Sequence, residues 1–63
     1  MNIAGKEAER VGRNWIVKNV LPDEVGILIE LAKAELGTRL VGEPHPIQLD
    51  DDEFWVVFRI KDA

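Results

Sequence analysis

The chain has 63 residues, 46% of them hydrophobic and 32% charged, with a net charge of −4 and no cysteine. That length allows a single domain, residues 1–63, whose own core supplies only about 3–5 kcal/mol of net stability. Disulfides are excluded, one histidine without thiols cannot build an ordinary structural zinc site, and hydroxyl and thiol nucleophiles are nearly missing because Thr38 stands alone without any Ser, Cys or Tyr.

These absences argue for a non-catalytic protein with no cofactor, no metal and no small-molecule substrate. They also leave oligomerisation or unusually good packing as the means of stabilising so small a core. The first residues lack a basic stretch followed by an apolar one, so no targeting segment is expected. Apolar runs such as residues 27–29 and 55–58 fall far short of the ~20 residues that span a bilayer. The expected compartment is the cytoplasm, with no membrane partner.

Along the chain, Ala4, Ala8, Val11 and Trp15 recur at helical spacing, which predicts a first helix over residues 4–20. The β-branched run after Asn14 makes a short strand over residues 15–20 the alternative, and that choice decides how many strands the sheet has. Pro22 separates this segment from a second helix over residues 23–36, with Asp23 and Glu24 near its N-terminus and Gly37 at its end. This helix carries two apolar stripes. Val25, Leu28, Ile29, Ala32 and Leu36 are wide enough to cover a core, whereas Ile27, Leu31 and Ala34 need the first helix or another subunit to cover them.

Beyond Gly37 the period becomes two. Residues 38–41 suit a short strand, residues 42–46 a proline-rich loop, and residues 47–60 a hairpin that turns at Asp50, Asp51 and Asp52. In its second strand Phe54, Val56, Phe58 and Ile60 point one way, while Trp55, Val57, Arg59 and Lys61 point the other. The fold class that follows is α+β: two N-terminal helices packed on one face of a small antiparallel sheet of two to four strands, ending in a C-terminal β-hairpin. The passage from Ala32 through Phe58, with its helix ending at Gly37 followed by Pro46, Ile47, Gln48, Leu49 and then Trp55, Val56 and Val57, resembles the helix-then-sheet ends of small cystatin-like or nuclear-transport-factor-like domains. That resemblance covers less than half of the chain, and no residue role or function is carried across from it.

Trp55 and Val57 fall on the sheet face away from the helices, and an exposed Trp is an anchor that protein interfaces favour. Together with Ile27, Leu31 and Ala34 they predict a protein-interaction module that pairs with itself, with another protein, or both. A second possibility is an acidic inhibitor or immunity-type protein docking on a basic target through Asp50, Asp51, Asp52 and Glu53, with Glu43 and Asp62. The structural alternative for that run is a solvated turn. A third possibility is nucleic-acid binding through Lys6, Arg10 and Arg13, a basic stripe on the first helix that a solvated helix face explains equally well. Residues 1–21 are net +2, from Lys6, Arg10, Arg13 and Lys18 against Glu7 and Glu9. Residues 22–63 are net −6, from four cations against ten carboxylates, and this acidic remainder argues against nucleic acid. His45, held between Pro44 and Pro46, fits an exposed loop and no metal or triad spacing.

Overall fold

The computed structural model of the protein describes residues 1–61. Five strands, β1 (Asn2–Ile3), β2 (Lys6–Val11), β3 (Asn14–Val20), β4 (His45–Gln48) and β5 (Phe54–Arg59), form one antiparallel sheet in the order β1-β2-β3-β5-β4. One helix, α1 (Val25–Leu36), connects the first three strands to the last two.

The first helix expected over residues 4–20 does not form; that stretch makes the β1–β2 turn and the β2–β3 hairpin, so the architecture of two N-terminal helices is incorrect. Two turns decide this. Ala4 and Gly5 have φ of +52° and +80°, the two positive values of a tight hairpin turn, and Gly12, at +63°, begins the turn into β3. A right-handed helix tolerates neither. The run from Lys6 to Arg10 consists of good helix formers, but β3 must pair with β5 to bury Val17, and β2 follows as its neighbour.

Within β3 the register slips between Val17 and Val20, and Asn19 sits at φ +58°. This bulge changes which residues reach the core. Residues three apart on a regular strand face opposite sides, yet Val17 and Val20 are both fully buried. Asn is among the few non-glycine residues that adopt this backbone readily, which explains its place there.

Pro22–Glu24 form a single 3-10 turn, and α1 follows; the backbone N–H of Leu21 donates to the Glu24 carboxylate at 3.3 Å. Gly37, at φ +54°, ends the helix with its N–H on the Lys33 carbonyl. A second 3-10 turn over Gly37–Arg39 replaces the strand expected at residues 38–41, of which only a bridge between Leu40 and Ile60 remains. The C-terminal hairpin forms, with β4 beginning at His45 rather than Ile47. Pro46 is accommodated because β4 is an edge strand.

The helix buries Leu28, Ala32 and Leu36 against Ile3, Ala8, Val17, Val20, Val56, Phe58 and Ile60 of the sheet side. Trp15, Phe54, Val25 and Ile29 pack partly buried around this cluster. A charge-assisted bond pins the β1–β2 turn to the helix: the Ala4 N–H donates to the Glu35 carboxylate at 2.7 Å.

The bulge gives a stability test. Asn19→Gly is expected to unfold in urea at a midpoint equal to or above that of the parent, whereas Asn19→Val should lose about 1–2 kcal/mol through left-handed strain. Equal midpoints for the two variants would show that position 19 does not hold this backbone.

Candidate interaction surface

Helix α1 covers one face of the sheet, and among the described residues no second helix covers the other. Strand register fixes what that face presents. Glu9, Ile16, Val57 and His45 lie in one row across β2, β3, β5 and β4. Trp55 pairs with Ile47 in the next row, where the bulge sets Lys18 beside them. Ile16, Trp55 and Val57 are half-buried, and Ile47 is exposed.

Polar contacts hold the Trp55 ring. The Lys18 ammonium lies 4.7 Å from the ring centroid, in cation–π contact, and also pairs with the Glu9 carboxylate at 2.8 Å. The indole Nε1–H donates to the Glu53 carboxylate at 3.1 Å. An aromatic plate with both ends anchored needs little ordering before it meets a partner.

Ile27 and Leu31 are 63% and 52% exposed, and Ala34 is exposed as well. The packing of this stripe on a first helix is ruled out because that helix is absent. A shallow cleft of about 210 Å³ between the stripe and the β1–β2 turn is lined by Ala4, Lys6, Glu24, Ile27, Leu28 and Leu31. The apolar residues singled out from the sequence therefore occupy two separate surfaces: Trp55 and Val57 on the open sheet face, and Ile27, Leu31 and Ala34 on the helix.

Asp50, Asp51, Asp52 and Glu53 form the β4–β5 turn, and apart from the Trp55 bond to Glu53 their bonds lie within the turn and to its neighbours Gln48 and Leu49. The Asp52 N–H donates to the Asp50 carboxylate at 2.8 Å, and the Leu49 N–H donates to the Glu53 carbonyl at 3.0 Å. Such Asx geometry is a turn-forming use of aspartate. Among the described residues no group of three or more His, Asp or Glu side chains could hold a metal ion. Glu43 pairs with Lys33 at 2.8 Å, and this hydrogen bond raises the Lys33 ammonium above its ordinary value. Asp62 lies outside the described residues.

The basic stripe is dispersed. Lys6 sits 3.8 Å from Glu24, Arg10 lies over the Trp15 ring at 5.8 Å, and Arg13 stands in the β2–β3 turn. Lys6 and Arg10 share a strand face, not a helix face, and Arg13 instead joins Arg59 and Lys61 around another cleft. His45 is exposed on β4 opposite Val57.

The sequence reading missed Ile16, Lys18 and Ile47 as members of the open face. The β-branched run at Ile16 and Val17 carried the strand signal, but only the pairing of β3 with β5 places Ile16 beside Val57. Among the described residues no helix is long and apolar enough to cross a membrane. Compared with protein-family models, curated proteins and solved structures, the chain matches none.

The cation over Trp55 can be tested by substitution. Lys18→Ala is expected to cost about 0.5–1 kcal/mol in urea unfolding. In a Trp55→Phe background the same substitution should cost measurably less, and an unchanged cost would remove the ring from the interaction.

Proposed function

We propose that this protein is a non-catalytic interaction module that self-associates, closing the open face of its sheet on a second copy of the chain. The observation that carries this is the Glu9–Ile16–Val57–His45 row, which is self-complementary. A two-fold axis running along the strands between β3 and β5 lays Ile16 on Val57 of the second copy. The same operation brings Lys18 to Trp55 of the second copy and Glu9 to His45 of the second copy, an acceptor to an imidazole N–H donor. Parallel and antiparallel alternatives do not all share this match: an axis across the strands at that row sets Glu9 against Glu9.

Size supports the same occupant. The two longer dimensions of the molecule, 35 and 23 Å, bound a face of at most about 800 Å², which is the area per partner of a standard specific interface. Covering Ile16, Trp55, Val57 and Ile47 adds apolar burial that a core of ten buried residues needs. On this proposal the chain works as a small cytoplasmic homodimer, and the helix stripe of Ile27, Leu31 and Ala34 stays outside the seam.

Light scattering over a concentration series tests it. The parent chain should reach dimer mass, Val57→Lys should move the midpoint at least about tenfold higher, equivalent to 1.4 kcal/mol, and Leu31→Lys should leave it in place. A parent that remains monomeric throughout, or a dimer that dissociates with Leu31→Lys and not with Val57→Lys, would overturn the proposal.

A further inference from the structure

The charges of this chain are sorted by strand ends. Strand β5 leaves the acidic turn at Asp50, Asp51, Asp52 and Glu53 and runs to Arg59 and Lys61. There the β3 register sets Asn14 against Arg59, which brings the adjoining Arg13 of the β2–β3 turn to the same end. Two backbone bonds fasten the chain after α1 alongside: the Lys61 N–H donates to the Arg39 carbonyl and the Val41 N–H to the Arg59 carbonyl, both at 2.8 Å. Four cations from three separate segments thus gather where pairing, not sequence proximity, puts them.

Arg13, Val41, Arg59, Ile60 and Lys61 line an open cleft of about 350 Å³, and among the described residues no carboxylate stands in its wall. Arg13, Arg39, Arg59 and Lys61 are all exposed, and among the described residues none of them makes an ion pair. Glu43, the carboxylate on the linker near Arg59, is engaged by Lys33 at 2.8 Å. The six residues of β5 put about 20 Å between this end and the acidic turn, more than twice the ~8 Å screening length at physiological salt. A net charge of −4 therefore does not decide what this end attracts.

We propose that this cationic end binds the phosphodiester backbone of nucleic acid. Three of the four cations are guanidinium groups, whose planar forks match phosphate oxygens bidentately. Arg13, Arg59 and Lys61 around the open cleft, with Arg39 fastened beside it by its carbonyl, suit a polymer with repeated charges better than one enclosed anion. Among the described residues no base-reading element accompanies them, so the binding is independent of sequence. Arg59 lies on the open sheet face one row beyond Val57, so this site borders the proposed seam.

The test is fluorescence anisotropy with a labelled single-stranded oligonucleotide of about 12 nucleotides. Engaging four phosphates gives a log–log salt slope of about −2.8, so affinity should fall about 50-fold between about 50 and 200 mM salt. The Arg13→Gln, Arg59→Gln double variant should bind at least tenfold more weakly at low salt, with a slope near −1.4, and Lys6→Gln should bind as the parent does. If the double variant loses the parent's Trp fluorescence, Arg39→Gln with Lys61→Gln serves in its place, with the same expected loss. No binding at low salt, or binding that both double variants retain, overturns the proposal. Poly-glutamate that binds more tightly than the oligonucleotide also overturns it, assigning the cleft to acidic protein.

Discussion

The fold turns on a single irregularity, the bulge at Lys18 and Asn19 in the central strand. With Asn19 left-handed, Val17 and Val20 both point beneath the helix, where they are fully buried with Val56 and Phe58. A regular strand would turn one of the two valines into water, a loss of about 1.5–3 kcal/mol in a domain with only a few to spare. The same bulge sends Lys18 outward onto the Trp55 ring. One slip of register therefore completes the core on one side of the sheet and fixes the most prominent side chain on the other.

Much of the second half of the chain was legible from sequence. Helix α1 carries its core stripe at regular spacing and stops at Gly37, which takes the backbone that glycine favours. Strand β5 alternates cleanly, so Val56 and Phe58 fall under the helix and Trp55 and Val57 on the other face. The first half misled for a physical reason. Strand β2 has one buried residue, Ala8, and apart from the exposed Val11 is otherwise built from Lys, Glu and Arg, so its local preference is helical and its hydrophobic pattern is thin. Beside the β-branched run after Asn14, the Gly5 and Gly12 turns argued otherwise, and Ala4 in a left-handed position hid half of the first.

The surfaces divide in the same way. Trp55 and Val57 followed from alternation within one strand, but Ile16 and Ile47 join them only through pairing with β3 and β4. The cationic end was not legible at all, because Arg13, Arg39 and Arg59 are far apart in sequence and meet through register and two backbone bonds. Reading Lys6, Arg10 and Arg13 as one stripe assumed a helix; on strands, Lys6 turns to Glu24 and Arg10 to Trp15. What results is a small two-layer body with an apolar open face, an acidic turn at one end of β5 and four cations at the other. Under the proposed two-fold symmetry both cationic ends lie on the same side, with Arg59 of each copy at the margin of the seam.

The most direct measurement of self-association through the open face is an isotope-filtered nuclear Overhauser experiment on a mixture of labelled and unlabelled chain. Intermolecular cross-peaks between the methyl groups of Ile16 and Val57 are the expected result. Cross-peaks confined to Ile27 and Leu31, or no intermolecular peaks from a folded sample at high concentration, would contradict it.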